Sequence, residues 1–139
     1  MLVKSEGIVI RTTRYSETSV ITKIYTRLKG MLSFHIPGVF STKSVIKPSF
    51  LQPLQVVEMD FYLKESHNLN KIKELKPLLQ LQSLHFEVQK SSIGIFISEI
   101  ISKTIKEEEA NEELYDFIFR NILLLDSSGI QTANFPLFF

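Results

Sequence analysis

The apolar residues of this 139-residue chain change their spacing near Pro77, and this change constrains the fold more than any other feature. From Leu2 to Leu75 the apolar signal repeats every second residue and β-branched residues are abundant, as is typical of strands. After Pro77 the apolar residues recur every three or four positions, as is typical of helices. The sequence therefore predicts a strand-rich domain over residues 1–78 and a helical segment over residues 79–139.

The clearest predicted strand runs from Val56 to Lys64. Its apolar residues share one face and its polar residues the other, because successive side chains alternate across a strand. The apolar face comprises Val57, Met59, Phe61 and Leu63. A last strand over Leu69 to Leu75, after a turn at Ser66-His67-Asn68, completes five strands in about 75 residues.

Residues 37–53, between the third and fourth predicted strands, fit neither a strand nor a long helix. Three prolines and Gly38 make them a long connection with one short helical turn, placed where a small closed barrel commonly carries its capping helix. Five antiparallel strands with this connection after the third predict an OB-fold β-barrel. The expected fold class is α+β, an OB-fold barrel followed by an incomplete α-helical domain.

The helical segment after residue 79 is predicted to begin with two helices. The first ends near Lys106, and its isoleucines recur at helical spacing. Its stripe comprises Ile93, Ile97, Ile100, Ile101 and Ile105. Asn111 is expected to cap the second helix, where Glu112 and Glu113 suit the positive end of the helix dipole. Its stripe comprises Leu114, Phe117, Ile118, Ile122 and Leu125.

The last residues are unusually apolar. Asp126 to Gly129 is expected to close the second helix, a third helix begins near Ile130, and the chain ends Phe135-Pro136-Leu137-Phe138-Phe139. A contiguous apolar patch usually marks a missing partner surface. We therefore expect the front part of a longer protein and a homodimer through the helical half. The alternative is a final helix packed into the core of a complete domain.

The net charge of +1 hides a strong asymmetry. Residues 1–78 contain 12 Lys/Arg and 6 Asp/Glu, whereas residues 79–139 contain 4 and 9. A basic half attracts polyanions through a field that salt screens. The acidic half is expected to serve as scaffold or as a protein-facing surface.

Residue patterns that would support catalysis are missing from the sequence. The histidines His35, His67 and His85 show no metal-site spacing, and the five glycines stand alone, so no phosphate-binding loop is present. Without cysteine there is no disulfide or thiolate metal site, and no cofactor is expected. The carboxylates of residues 107–113 are more typical of a solvated turn. No signal peptide or long apolar run occurs, so we expect a cytoplasmic protein without a membrane partner.

A binding function has positive support in the basic half. Its cations are Lys4, Arg11, Arg14, Lys23, Arg27, Lys29, Lys43, Lys47, Lys71, Lys73 and Lys76, interleaved with Tyr15, Tyr25, Phe40 and Tyr62. Cations that follow phosphates and aromatics that stack on bases together hold single-stranded nucleic acid. The alternatives are that the basic surface is nonspecific and that Tyr25 belongs to the core.

Three runs of residues resemble the N-terminal region of the RecO family of bacterial recombination and repair mediators. They are Leu2 to Arg11, Tyr15 to Ile21 and Thr26 to Ser33. Later stretches fit as well, namely Leu51 to Leu54 and Asn111 to Asp116. Only the first block, formed by the three N-terminal runs, is specific.

The resemblance implies an OB-fold joined to a helical domain, without a catalytic centre. Members of the family bind single- and double-stranded DNA, anneal complementary strands, and act with RecR to help RecA replace single-strand binding protein. A nucleoid-associated protein is thus expected, with RecR and single-strand binding protein as partners. By carry-over, the DNA-contact candidates are Arg11, Arg14, Arg27, Lys29, Lys43 and Lys47.

Two departures limit this transfer. Family members usually continue further, and many carry a four-cysteine zinc module, whereas this sequence has no cysteine. The zinc site is therefore expected to be absent, and the docking groove for single-strand binding protein to be absent or incomplete. The connection after the third strand is typically arginine-rich, but here it offers only Lys43 and Lys47, which lack the arginine fork.

Two other classes of function remain open at this point. One is an OB-fold module that docks RecR and has little DNA affinity of its own. The other is an RNA-binding OB domain of the translation machinery.

Overall fold

The computed structural model describes residues 1–64, 69–106 and 109–127. Within these ranges five strands form a closed barrel in the order β1-β2-β3-β5-β4. The strands are β1 (Leu2–Arg14), β2 (Val20–Thr26), β3 (Gly30–Ile36), β4 (Val56–Tyr62) and β5 (Asn70–Pro77). The helices α1 (Val88–Thr104) and α2 (Glu112–Ser127) follow. The predicted five-stranded barrel followed by helices is confirmed.

The long strand β1 makes closure possible because it pairs along both edges. Its first half is antiparallel to β4 and its second half is antiparallel to β2. A bulge between Val9 and Arg11 bends the strand where the partners change. A short parallel pairing of β3 with β5, through Phe34 and Asn70, closes the barrel.

The connection between β3 and β4 contains a short 3-10 helix, Pro48–Leu51. This agrees with the one short helical turn that the sequence predicts there. The connection is fixed to β1 by side-chain and backbone hydrogen bonds. The Thr12 hydroxyl donates to the Leu51 carbonyl at 2.9 Å. The Leu54 amide donates to the Val9 carbonyl at 2.7 Å, with Leu54 in the left-handed region at φ 67°.

Strand β4 shows the predicted alternation of faces. Val57, Met59 and Phe61 are buried inside the barrel, whereas Tyr62 is exposed. The strand ends at Tyr62, so the predicted extension to Lys64 is wrong. The last strand begins one residue later than predicted and continues to Pro77. The predicted turn at residues 66–68 lies outside the described residues.

A second apolar cluster joins the outside of the barrel to the helices. Ile8, Tyr25 and Met31 project outward from β1, β2 and β3 and are buried against side chains of the helical segment. On the helical side the cluster includes Leu81, Leu84, Ile97, Ile101, Tyr115, Ile118, Ile122 and Leu125. The helices therefore cover part of the outer face of β1, β2 and β3, and Tyr25 belongs to this core.

The predicted helical stripes are right in outline and wrong at particular residues. In α1, Ile97 and Ile101 are buried, but Ile100 is exposed. In α2, Tyr115 is buried in place of the predicted Phe117, because its ring packs near Tyr25 of the barrel. The predicted third helix and the apolar ending lie outside the described residues.

The predicted cap of α2 is confirmed, since the Asn111 Oδ1 atom accepts a hydrogen bond from the Leu114 amide at 3.0 Å. Within the described ranges, neither helix has the length and apolar content needed to cross a membrane.

Candidate nucleic-acid interface

An exposed group of cationic and aromatic side chains lies at one end of the barrel. The guanidinium carbon of Arg14 is 4.3 Å from the centroid of the Phe40 ring. Next to Arg14, the Tyr15 ring packs edge-on against His35, with ring centroids 5.3 Å apart. Tyr15 is 64% exposed and Phe40 is 42% exposed, so both rings have surface available to a ligand.

The sheet register extends this group across two more strands. His35 on β3 is the Cα partner of Lys71 on β5, and Lys71 is the partner of Tyr62 on β4. Directly opposite residues of neighbouring strands project to the same face. Lys71 and Tyr62 are both exposed. The rim cluster, as we call this set, comprises Arg14, Tyr15, His35, Phe40, Tyr62 and Lys71.

The loop between β1 and β2 holds the Arg14 side chain in place. Its Nε donates to the Ser16 carbonyl at 3.2 Å, and its Nη2 donates to the Glu17 carbonyl at 2.8 Å. The loop is closed in turn by the hydroxyl of Ser16, which accepts from the Ser19 amide at 3.1 Å. These bonds use two of the five guanidinium N–H groups and orient the cation before any ligand binds.

The position of the rim cluster matches the known use of this fold. OB-folds bind oligonucleotides on the β2–β3 face and on the loops after β1 and β4. Tyr15 lies in the first of these loops, and Tyr62 precedes the second. The helices cover the part of the β2–β3 face that carries Tyr25 and Met31. The part of this face that stays open carries Ile21 and His35.

The six predicted DNA-contact residues do not form one group. Arg14 is in the rim cluster, and Lys43 and Lys47 are exposed on the connection that carries Phe40. Arg27 and Lys29 lie in the turn between β2 and β3, at the other end of the barrel. The seven residues of β2 separate the two ends by about 20 Å.

Arg27 is held by the helical segment. Its Nε lies 3.0 Å from Glu112 Oε1, and its Nη1 lies 2.7 Å from Asp116 Oδ1. The hydrogen bond to Glu112 raises the pKa of the guanidinium, partial desolvation opposes this rise, and Asp116 adds to it. Arg27 therefore joins the barrel to α2.

Tyr115 lies behind this ion pair, with the Arg27 guanidinium 5.6 Å from its ring centroid. Its hydroxyl donates to Glu6 Oε1 at 3.4 Å. Burial, followed by the nearby Glu6 carboxylate, raises the pKa of Tyr115 above its usual range. The phenol thus remains protonated and links α2 to β1.

Arg11 lies between the two ends, beside α1. It lines a cleft of about 310 Å³ together with Pro53, Glu99 and Lys103. Its strand partner Lys23 donates to the Ser102 carbonyl at 3.4 Å. Arg11 is exposed, but it faces a mixed-charge cleft and is separate from the rim cluster.

One member of the rim cluster, His35, was not among the sequence candidates. As a lone histidine it carries no motif, and the tertiary pairing of β3 with β5 places it beside Lys71. No group of three or more metal-ligating side chains occurs among the residues that the structure describes.

The fold and this end of the barrel define an OB-fold protein whose loops carry a solvent-exposed, cationic and aromatic rim. Comparison with known families then identifies the lineage. The profile described as Recombination protein O N terminal matches residues 1–80, and the profile described as Recombination protein O C terminal matches residues 85–139. The chain belongs to the RecO family of DNA repair proteins.

Individual relatives agree over the whole length of this chain. It is 35% identical to the DNA repair protein RecO of Bacteroides fragilis over 139 residues, which are 100% of this chain and 57% of that protein. It is 38% identical to the DNA repair protein RecO of Flavobacterium psychrophilum over 138 residues, which are 99% of this chain and 58% of that protein. The chain thus spans less than two thirds of these relatives.

Proposed function

We propose that this chain is a non-enzymatic DNA-binding domain that holds single-stranded DNA on the rim cluster. The observation that carries this proposal is the Arg14 guanidinium, held by its own loop above the exposed Phe40 ring and next to Tyr15. In such an arrangement the cation contacts a phosphate of the strand while the neighbouring exposed rings stack on its bases.

The chemistry of the rim cluster favours single strands over duplex. Tyr15, Phe40 and Tyr62 offer ring faces, and only an unpaired base can stack on them. The cations Arg14 and Lys71 attract phosphates of any sequence, so binding is expected to be sequence-tolerant and to weaken steeply with salt.

We propose the more specific activities of the RecO family for the whole protein and not for this chain alone. They are duplex binding, strand annealing, and help to RecA, together with RecR, on DNA coated with single-strand binding protein. The present chain spans 57% of its Bacteroides fragilis relative. We assign the DNA contact to the barrel and propose that docking of single-strand binding protein, and a homodimer, involve the helical half.

Replacing the rim aromatics tests the proposal. Tyr15→Ala, Phe40→Ala and Tyr62→Ala should each weaken binding to oligo-dT by roughly 5- to 150-fold, since one stacked base contributes about 1–3 kcal/mol. The measurement is fluorescence anisotropy at low salt with the full chain. His35→Ala should give a smaller loss, because its ring is half-buried beneath Tyr15.

The matched control for these variants is Phe86→Ala. Phe86 is an aromatic residue in the helical segment with 73% exposure and does not belong to the rim cluster, so its removal should leave the affinity unchanged. Equal losses in the control and the rim variants, or no loss in any rim variant, would contradict the assigned surface.

One observation favours a second candidate, a barrel that docks a protein. A groove of about 530 Å³ lies between the connection and strands β4 and β5. Its charged lining is balanced, comprising Lys4, Lys73 and Lys76 against Glu58, Asp60 and Glu74, with Val45, Ile46 and Met59 among its apolar residues. Such a lining suits a polypeptide better than a polyanion. Co-elution with RecR and no DNA affinity at low salt would favour this candidate.

A further inference from the structure

The acidic N-terminal end of α2 lies against the basic turn between β2 and β3. The turn places Arg27 and Lys29 within three residues, and Gly30 closes it at a left-handed φ of 72°. Opposite this turn, the first two turns of α2 carry Glu112, Glu113 and Asp116.

The contact between the two elements has the geometry that arginine uses for phosphate. Nη1 and Nη2 of Arg27 reach Oδ1 and Oδ2 of Asp116 at 2.7 and 3.5 Å, which is a two-pronged arrangement. Nε is taken by Glu112 at 3.0 Å. A guanidinium recognises carboxylate and phosphate through the same planar fork.

The helix is fixed in this position by packing that does not depend on the ion pair. Tyr115, Ile118 and Ile122 of α2 are fully or almost fully buried against the barrel. The carboxylates are therefore presented to Arg27 at a high local concentration. A DNA phosphate would have to displace both of them to reach the guanidinium.

We propose that the β2–β3 turn is a second phosphate-binding site, which the Glu112 and Asp116 carboxylates mask. The proposal rests on the proposed DNA-binding function and adds to it. In the native chain DNA is held at the rim cluster, and the acidic start of α2 prevents binding at the opposite end. Loss of the negative charge on these two carboxylates extends the DNA-binding surface to this end of the barrel.

The test is to neutralise the two masking carboxylates. Glu112→Gln combined with Asp116→Asn should raise the affinity for an oligo-dT of about 16 nucleotides by roughly tenfold at low salt, the effect of one charge-assisted contact. The slope of log affinity against log salt should become steeper by about 0.7 to 1.4, the contribution of one or two added phosphate contacts.

Two controls separate unmasking from a simple change of net charge. Glu109→Gln with Glu113→Gln removes the same two charges from the same region but no contact with Arg27, and should give the smaller effect. Adding Arg27→Gln to the unmasked variant should remove the gain. Circular dichroism melting of each variant confirms that the fold is retained.

The outcomes are distinguishable. If the unmasked variant and the charge-matched control bind DNA equally well, or if Arg27→Gln leaves the gain intact, the masking proposal is wrong while the rim assignment stands. If neither the native chain nor any variant binds DNA at low salt, the proposed function fails, and the masking proposal with it.

Discussion

Gly7 shows how a single position limits the packing of the barrel. A Cβ atom added there would lie 2.6 Å from Ile24 Cγ2, which is too close for two carbon atoms. Ile24 is fully buried and β-branched, so it has little freedom to move away. Glycine at this position therefore leaves room for the Ile24 side chain.

We expect Gly7→Ala to lower the free energy of unfolding by about 1–3 kcal/mol through overpacking. The measurement is urea denaturation followed by circular dichroism. Ile24→Leu, which removes the branch at Cβ, should recover part of the loss when combined with Gly7→Ala. Additive effects of the two substitutions would show that the close contact is not the cause.

Tyr115 illustrates a residue whose role could not be predicted from its neighbours in sequence. The apolar spacing of α2 predicts a stripe through Leu114 and Phe117. Tyr115 is buried because its ring packs near Tyr25 and its hydroxyl reaches Glu6, which is 109 positions away in the chain. Local periodicity contains no information about such a distant acceptor.

Helix α2 is anchored at its C-terminal end by Asp126. The carboxylate accepts hydrogen bonds from the backbone amides of Gln82, Ser83 and Leu84 at 2.7 to 2.9 Å. Partial burial alone would raise the pKa of Asp126, but these donors and the nearby Lys90 lower it overall. The ionised carboxylate therefore ties α2 to the segment that precedes α1.

The lowered pKa predicts a stability change in acid. The contribution of Asp126 is complete above its unfolded pKa of about 4 and is lost as the pH falls through the lower folded value. Asp126→Asn should lower the free energy of unfolding at pH 7 by on the order of 1 kcal/mol.

Urea denaturation of both proteins between pH 7 and pH 2 checks this prediction. The difference between them should shrink below about pH 4. Glu113→Gln, an exposed carboxylate change on the same helix, should show no such pH dependence. A difference that stays constant down to pH 2 would contradict the assigned role of the charge.

Elements with a strong local signal could be predicted from the sequence. The alternation of Val57, Met59 and Phe61 and the cap at Asn111 are examples, because neighbouring residues alone determine them. The solvent exposure of Ile100 could not be predicted in this way. Its exposure depends on how α1 lies against the barrel.

The whole molecule combines a barrel with helices that pack on its outer face. The shared apolar cluster and the Arg27 ion pairs both cross between the two parts. The division into residues 1–78 and 79–139 stays a prediction. The helices cover part of the outer face of β1 to β3, so the part of this face that stays open is next to the rim cluster.

The sequence predicted a cationic and aromatic surface on the barrel, but it could not predict which of these residues lie together. Arg14 is in the rim cluster, and Lys43 and Lys47 are exposed on the connection that carries Phe40; their contact with DNA stays a prediction. The sequence also grouped Arg27 with them. The pairing of Arg27 with Asp116, 89 positions away, is a tertiary contact that residue spacing does not show.

The central claim is that DNA is held at the rim end of the barrel and that the opposite end is masked. The most direct test compares two double variants of equal charge change, Arg14→Gln with Lys71→Gln and Arg27→Gln with Lys29→Gln, in anisotropy titrations with oligo-dT. The first pair should weaken binding at least about tenfold and reduce the salt slope by about 1.4, whereas the second should stay within about twofold of the native chain. Equal losses in both pairs, or a loss confined to the second, would contradict the claim.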